Sequence, residues 1–285
     1  MNAPAQTLTT ETAFAKINLA LHVRARREDG YHLIESLFAF IDDGDRLEVA
    51  PAPDLRLRLT GPFAAELEGG GGKSEDNLVL RAARAMQGHF GVNAGASILL
   101  DKRLPVAAGL GGGSADAAAV ARALNRLWNL GADEAALIRA IGPLGADVPV
   151  CLAARTAIGR GIGDELLPSA DAAGLTGRPV LLVNPRIACP TGPVYRLWDG
   201  VDRGPLGEEA TGWRNDLEPG ALALVPQVAA VLETLRGMAG AEIVRMSGSG
   251  ATCFALFGDA AARDEAERAV ARARPGWWTM PGALR

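Results

Sequence analysis

The middle of the chain reads Leu104-Pro105-Val106-Ala107-Ala108-Gly109-Leu110-Gly111-Gly112-Gly113-Ser114-Ala115-Asp116, and an alanine-rich stretch that ends at Trp128 follows it. Glycine has no Cβ, so a backbone with four glycines in five residues can turn sharply and pass close to a ligand. A helix directly after such a loop directs its unpaired N–H groups and the positive end of its dipole at that ligand. The stretch therefore predicts a loop that holds phosphate.

Two better-known glycine loops fit this stretch less well. A Walker loop ends in Gly-Lys followed by Ser or Thr, and no Gly-Lys pair occurs here. A dinucleotide-binding loop follows directly on an apolar strand, whereas the segment 101–105 separates the apolar run 97–100 from the glycines. The remaining alternative is a flexible loop without a ligand, which is how we interpret the denser run Gly69–Gly72.

The residues after Gly113 have the pattern of an amphipathic helix. Apolar side chains recur at intervals of three and four residues up to Trp128, and Gly131 ends the pattern. Ser114 or Asp116 is expected to cap the N-terminus of this helix.

The bulk composition is that of a globular protein with an ample core. The 285 residues are 48% hydrophobic and 22% charged, which excludes a disordered or fibrous chain. A net charge of −4 gives no general attraction for nucleic acid. The chain contains no apolar run long enough to span a membrane and no secretory signal pattern, and its three cysteines lack a C-x-x-C spacing. We expect a cytoplasmic protein with buried, reduced thiols.

Lys16 is a candidate functional residue because lysine is rare in this chain. The basic residues are almost all arginine, and the lysines are Lys16, Lys73 and Lys102. The alternating segment 12–23 predicts a strand on which Lys16 and Asn18 share one face. That face could equally be an ordinary solvent surface.

Asp147 is the candidate acid of the chain. It lies in the turn Gly145-Ala146-Asp147-Val148-Pro149, and apolar residues follow directly. An aspartate in such a turn is commonly a local cap, and a half-buried functional acid is the alternative.

The rest of the pattern is mixed. Helices are predicted over 77–89, 132–141, 220–236 and 260–272, and strands over 96–100, 180–183 and 252–257. Repeated β and α elements beyond about residue 155 indicate a second α/β layer.

Three segments in this order resemble the kinases grouped with galactokinase, homoserine kinase and mevalonate kinase, the GHMP kinases. They are 15–18, the glycine stretch 104–114 and Ser247-Gly248-Ser249-Gly250. Finer matches narrow the resemblance to the branch whose acceptor is cytidine-diphosphate methylerythritol, in the non-mevalonate route to isoprenoids. These matches are 29–32, 75–78, 101–105, 145–149 and 215–218.

The resemblance implies an α/β (α+β) fold of two domains with the active site in the cleft between them. An ATP-binding domain would span residues 1–155, and a C-terminal domain of ferredoxin-like character would span 156–285. The stretches 69–72 and 199–209 have no counterpart in the pattern, so the loops there are expected to differ.

The resemblance also implies the residues of the site. Asp147 would accept the proton of the acceptor's 2-hydroxyl, and Lys16 would keep Asp147 ionised and stabilise the transferred phosphoryl group. The residues implied for ATP are Pro105, Val106, Ala107, Ala108, Gly109, Leu110, Gly111, Gly112, Gly113, Ser114, Asn77 and Lys102.

For the acceptor, Tyr31 and Tyr195 would stack on the cytosine ring. His32 would bond its edge, Asn18 would reach the diphosphate, and Ser249 would contact phosphate through its loop, although Tyr195 could instead be a core residue. Asp216 has no implied chemical role and is interpreted as a helix cap.

Mg²⁺ is expected with ATP. Ser114 is one possible ligand, but the metal ligands stay open because no dedicated carboxylate stands out. The expected partner is the small-molecule acceptor, with neither nucleic acid nor membrane, and the protein is expected to be a monomer or weak homodimer. The alternatives are another GHMP kinase, of the mevalonate or homoserine type, and a nucleotide-binding regulator without activity.

Overall fold

Two long strands open the chain: β1 (Thr9–Arg26) and β2 (His32–Ala52), which pair with each other. The computed structural model describes residues 8–69, 76–169, 172–207 and 212–285. A short polar turn, residues 27–31, separates the two strands. In the part of the chain that is described, no helix is long and apolar enough to cross a membrane.

The chain divides into two compact units, and both β1 and β2 contribute to each of them. Unit 1 comprises Met1–Ala15, Asp43–Val106 and Gly111–Ala154. Unit 2 comprises Lys16–Asp42, Ala107–Leu110 and Arg155–Arg285. The domain boundary at 155/156 stays a prediction, since two earlier segments also belong to unit 2.

Unit 1 combines a sheet with a group of helices. Strand β3 (Leu55–Thr60) runs parallel to β4 (Gly95–Asp101), and β4 pairs antiparallel with the second half of β2 from Arg46 to Ala52. The helices of this unit are α1 (Ala64–Gly69), α2 (Leu78–Phe90), α3 (Gly112–Leu127), α4 (Glu134–Ile141) and α5 (Val148–Ala153). Helix α3 packs on α2 and α5, and its buried face is largely alanine, which allows neighbouring helices to approach closely.

Unit 2 contains the first half of β2 with β5 (Ala157–Arg160) and β6 (Glu165–Pro168), paired antiparallel. A second sheet has the strand order β10-β7-β9-β8. Its strands are β7 (Pro179–Asn184), β8 (Ala241–Met246), β9 (Cys253–Phe257) and β10 (Trp278–Ala283). The helices are α6 (Ala172–Leu175), α7 (Thr191–Arg196), α8 (Glu218–Leu224), α9 (Gln227–Arg236) and α10 (Ala260–Ala273).

This second sheet has the ferredoxin-like arrangement. Along the chain, α9 lies between β7 and β8, and α10 lies between β9 and β10. All neighbouring strands of the sheet are antiparallel, and α9 and α10 pack against it. The resulting β-α-β-β-α-β order confirms the ferredoxin-like character expected for the C-terminal part.

Most predicted elements are present, with shifted ends. The predicted single helix over 220–236 is wrong, because it breaks at Val225-Pro226 into α8 and α9. Proline has no N–H to continue the helix and its ring clashes with the preceding turn. Of the stretches predicted to be loops, Gly70–Gly72 and Glu208–Glu209 lie outside the described residues.

Candidate active site

The end of the glycine loop in unit 1 leads directly into α3. The helix begins at Gly112, after Gly111 in the left-handed conformation at φ +62°, and no side chain caps it. The prediction that Ser114 or Asp116 caps this helix is therefore wrong. The uncapped first turn directs backbone N–H groups outward, which is the arrangement that favours an anion.

The part of the glycine loop that belongs to unit 2, Ala107–Leu110, forms hydrogen bonds with β1 and with the segment 247–250. The Lys16 N–H donates to the Leu110 carbonyl at 3.0 Å, and the Ser247 hydroxyl donates to the Gly109 carbonyl at 2.8 Å. Gly109 has φ +75°, and a Cβ there would lie 2.3 Å from the Ser247 carbonyl oxygen. Two of the three segments that carry the family resemblance thus meet at Gly109.

Lys16 is buried, with only 4% of its surface exposed, so the interpretation of its face as solvent surface is wrong. Its ammonium donates to Asn18 Oδ1 at 3.1 Å and lies 5.0 Å from the centre of the Phe38 ring. The Asn18 N–H donates to the Ser247 hydroxyl at 3.2 Å. The predicted shared face of Lys16 and Asn18 is confirmed, and it lies against the first residues of the glycine loop.

Asp147 lies at the N-terminus of α5, but its side chain makes no capping hydrogen bond. Its interpretation as a local cap is therefore wrong, and the side chain is half-buried, as expected for a functional acid. The turn before it lies near the start of α3, because a Cβ on Gly145 would be 3.7 Å from Ser114 Oγ. Within unit 1, Ser114 and Asp147 thus belong to the same neighbourhood.

Lys102 forms a buried ion cluster with Asp45 and Asp116. Its ammonium bonds Asp45 Oδ2 and, at 2.7 Å, Asp116 Oδ2, while Asp45 Oδ1 accepts the N–H groups of Arg103 and Leu104. Burial raises the pKa of Asp116 to about 7, although the Lys102 ammonium opposes this shift. The pKa of Lys102 is raised because the two carboxylates outweigh the effect of burial. The role of Lys102 toward ATP stays a prediction.

Asn77 and Gly113 lie close to the beginning of α2. The Asn77 side-chain oxygen accepts the Val79 N–H at 2.9 Å and so caps α2. A Cβ on Gly113 would lie 3.2 Å from Leu78 Cδ1. The first turn of α2 is therefore next to the first turn of α3, where a nucleotide is expected.

In unit 2, an aromatic group surrounds His32. The His32 ring is 5.0 Å from the Tyr195 ring and meets the Trp198 ring edge-on at 5.6 Å. Tyr31, the residue before His32, is 58% exposed. Tyr195 is half-buried and packs on the core, and its role toward cytosine stays a prediction.

Arg26 determines which nitrogen of His32 can donate. Arg26 Nε donates to His32 Nε2 at 3.2 Å, so Nε2 is the acceptor and Nδ1 carries the proton of the neutral ring. Burial and the Arg26 charge both lower the pKa of His32, which favours this neutral form. The ring can then offer an N–H donor to a base edge.

Ser249 and Asp216 both have structural partners in unit 2. The Ser249 hydroxyl is 3.0 Å from that of Thr191 at the start of α7. Asp216 accepts the Val23 N–H at 2.8 Å and an Arg214 N–H, and it does not cap α8, so that interpretation is wrong. Asp216 thereby ties the segment before α8 to β1.

Several residues of these groups escaped the sequence analysis, namely Asp45, Trp198 and Ser36, whose hydroxyl accepts from Asn18 Nδ2. Each has a side chain type that is common on surfaces or in cores, and its partner is distant in the chain. Alternation along β2 places Asp43 and Asp45 on the same face, so the pattern does not separate the buried Asp45 from the partly exposed Asp43. Among the described residues, no group of three or more His, Cys, Asp or Glu could form a metal site.

Two family models match the chain. The GHMP kinases N terminal domain matches residues 77–155, and the GHMP kinases C terminal model matches residues 201–275. Together with the glycine loop at the start of α3 and the ferredoxin-like sheet, these matches define a GHMP kinase.

The relatives narrow this class. A protein from Rhizorhabdus wittichii named 4-diphosphocytidyl-2-C-methyl-D-erythritol kinase is 54% identical over 281 residues, which cover 97% of this chain and 94% of the relative. A crystal structure of 4-(cytidine 5'-diphospho)-2C-methyl-D-erythritol kinase matches with TM-score 0.79 and 38% identity, over 96% of this chain and 98% of that one. The chain belongs to the 4-diphosphocytidyl-2-C-methyl-D-erythritol kinase family.

A more distant structure supports the fold alone. Homoserine kinase from Cytophaga hutchinsonii matches with TM-score 0.69 at 18% identity, over 99% of this chain and 98% of that one. The GHMP kinase fold implied by the sequence resemblance is confirmed.

Proposed function

We propose that this protein transfers the γ-phosphoryl group of ATP to the 2-hydroxyl of 4-diphosphocytidyl-2-C-methyl-D-erythritol. The observation that carries the proposal is the position of Lys16, whose backbone bonds the glycine loop while its buried ammonium bonds Asn18. The near-full-length relatives supply the identity of the acceptor.

In this proposal Asp147 accepts the hydroxyl proton and Lys16 stabilises the charge of the phosphoryl group in flight. Phosphoryl transfer depends on in-line positioning and on cations near the non-bridging oxygens more than on a strong base. A half-buried carboxylate without a capping bond and a buried ammonium suit these two roles.

The triphosphate would bind along residues 105–114, with the uncapped N–H groups of α3 as donors. Asn77 and Lys102 would lie near the adenine. Mg²⁺ neutralises phosphate charge when it is bound, and it characteristically binds through phosphate oxygens, water and few protein ligands. Ser114 is one candidate protein ligand, and the other ligands of the metal stay open.

The acceptor's cytosine would lie between Tyr31 and Tyr195. His32 would donate from Nδ1 to an acceptor atom of the base, Asn18 would face the diphosphate, and Ser249 would contact phosphate. The exposed ring of Tyr31 and the His32–Tyr195 contact support this assignment.

We further propose that the protein works in the cytoplasm as a monomer or weak homodimer, without nucleic acid or membrane. A net charge of −4 and a small, charged metabolite as acceptor support this setting.

The direct test is ADP release from Mg-ATP with the cytidine acceptor, compared with mevalonate, homoserine and galactose. Release that depends on the cytidine compound is expected. Release with another acceptor instead would favour a different GHMP kinase, and ATP binding without release would favour a regulator.

Asp147→Asn tests the role of the acid. Because the amide cannot take up the proton, we expect turnover to fall by at least about 100-fold while ATP affinity stays within twofold. Asp133→Asn, at the cap of α4, is the matched control and should keep its turnover. Ordinary turnover in the Asp147 variant would contradict the assignment.

A further inference from the structure

Ser36 on β2 is fully buried, with 0% of its surface exposed, and it lies behind Lys16 and Asn18 of β1. Its hydroxyl donates to the Ala20 carbonyl at 2.7 Å and accepts from Asn18 Nδ2 at 2.7 Å. Asn18 in turn accepts the Lys16 ammonium on Oδ1. A continuous chain of hydrogen bonds therefore runs from the ammonium to the backbone of β1.

The direction of this chain is fixed by the single proton of the Ser36 hydroxyl. The Ala20 carbonyl can only accept, so the hydroxyl must give its proton there and has only lone pairs left for Asn18. The Asn18 amide must then present Nδ2 to Ser36 and Oδ1 to Lys16. The flipped amide would place donors against the ammonium and oxygen against oxygen.

Phe38 provides a second constraint from the same face of β2, two residues after Ser36. Its ring lies 5.0 Å from the ammonium, within the range of a cation–π contact. Gly159, the partner of Ser36 on β5, leaves space for this ring, since a Cβ there would be 2.3 Å from Phe38 Cε2. β2 thus contacts both residues of β1: Ser36 bonds Asn18, and the Phe38 ring lies next to the Lys16 ammonium.

We propose that Ser36 is a positioning residue for phosphoryl transfer, which holds the Lys16 ammonium in place through the Asn18 amide. Ser36 itself has no exposed surface and touches neither substrate. The inference rests on the proposed role of Lys16. Its consequence is that a hydroxyl remote from both substrates controls the rate of the chemical step.

Ser36→Ala is the primary test. The amide of Asn18 loses its fixed hydrogen-bond acceptor and can rotate, so we expect kcat to fall by about tenfold to 100-fold, while KM for ATP stays within twofold. A folded variant that keeps kcat within twofold of wild type would overturn the proposal.

A double-mutant cycle with Asn18→Ala separates positioning from general damage. If Ser36 acts through Asn18, then Ser36→Ala should change kcat by less than twofold once Asn18 is alanine. An undiminished loss in that background would show that Ser36 acts by another route, and it would overturn the proposal even where both variants lose stability.

Thr252→Val is the matched control, because Thr252, directly before β9, is also a buried hydroxyl in unit 2 that accepts a hydrogen bond from an asparagine amide. Asn184 Nδ2 donates to its Oγ1 at 2.8 Å. We expect a comparable loss of thermal stability but a kcat within twofold of wild type. An equal loss of kcat would mean that any buried hydroxyl in this unit has the same effect.

A spectroscopic measurement distinguishes failure of this inference from failure of the proposed function. The chain has only the lysines Lys16, Lys73 and Lys102, so ¹⁵N-lysine labelling gives three resolvable Nζ environments. Ser36→Ala should shift the Lys16 signal and Thr252→Val should not. An unshifted Lys16 signal overturns the proposal that Ser36 positions Lys16, whatever substrate the enzyme uses. A shifted signal without turnover of the cytidine substrate contradicts only the proposed function.

Discussion

Tyr31 is the clearest residue-scale test of the acceptor site, because its ring is exposed while its neighbour His32 is held in an aromatic group. An exposed aromatic ring next to a donor-bearing imidazole is suited to stack on a base. Stacking of one base on one aromatic ring typically contributes about 1–3 kcal/mol.

Tyr31→Ala should therefore weaken acceptor binding by about 1–3 kcal/mol and leave ATP binding unchanged. Isothermal titration with each ligand measures both affinities. Leu33→Ala is the control, since Leu33 is also exposed and lies two residues further along the chain. Unchanged affinity for the acceptor would remove Tyr31 from the cytosine site.

At the scale of elements, the Lys102 cluster joins three of them: Asp45 from β2, Lys102 just after β4 and Asp116 from the first turns of α3. Asp45 also accepts two backbone N–H groups of the segment that leads into the glycine loop. Removing Asp45 breaks a buried ion pair and leaves these two N–H groups without their acceptor, and the loss of a buried ion pair costs about 3–5 kcal/mol.

Asp45→Ala is accordingly expected to lower the free energy of unfolding by about 3–5 kcal/mol, as measured by urea denaturation. Asp43→Ala is the matched control, because its ion pair with Arg103 is partly exposed and should contribute about 1 kcal/mol or less. Equal losses of unfolding free energy in the two variants would show that the buried ion pair contributes no more to stability than the partly exposed one.

Asp116 gives the same cluster a pH dependence. Its pKa in the fold, about 7, lies above the ordinary value of 3.8, so the fold favours the protonated form. The contribution of protonated Asp116 to the free energy of unfolding is complete below about pH 4 and is lost as the pH rises through about 7.

Asp116→Asn is neutral at every pH, so its stability relative to wild type should increase as the pH rises from about 5 to 8. Thermal unfolding of both proteins across this range measures the difference, with Asp43→Asn as a control whose difference should stay flat. A constant offset for Asp116→Asn would contradict the raised pKa.

The elements also show how far the sequence carried the prediction. The periodicity of 77–89 and the alternation of 12–23 identified α2 and β1, because burial of one face leaves a regular pattern. The sequence places the start of α3 too late, because Asp116 has the residue type of a cap. Its carboxylate instead accepts a hydrogen bond from Lys102, which lies fourteen residues earlier. Asp216 does not cap α8 for a related reason, since local preference does not contain its tertiary partner, the N–H of Val23 on β1.

At the scale of the whole molecule, all three cysteines are buried and none forms a disulfide. Cys151 lies in unit 1, and Cys189 and Cys253 lie in unit 2. Burial raises the pKa of Cys189 and of Cys253, so the reactive thiolate is scarce at neutral pH. The expectation of buried cysteines is confirmed.

All three cysteines should resist iodoacetamide in native buffer and react fully in urea, because the thiolate must reach solvent. Peptide mass spectrometry after timed labelling assigns each rate to one unit, with the denatured chain as the reference. A cysteine that is labelled at the denatured rate in native buffer would contradict its burial.

Gly109 has a consequence for how such chains are recognised in sequence collections. Both its φ of +75° and the Ser247 carbonyl, 2.3 Å from where a Cβ would be, demand glycine before any nucleotide is considered. Gly131, at φ +62° with nothing within 4 Å of the added atom, is constrained by conformation alone. A descendant that had lost catalysis but kept its fold would therefore still carry glycine at 109. The glycine motif would then show common ancestry with the kinases but not kinase activity.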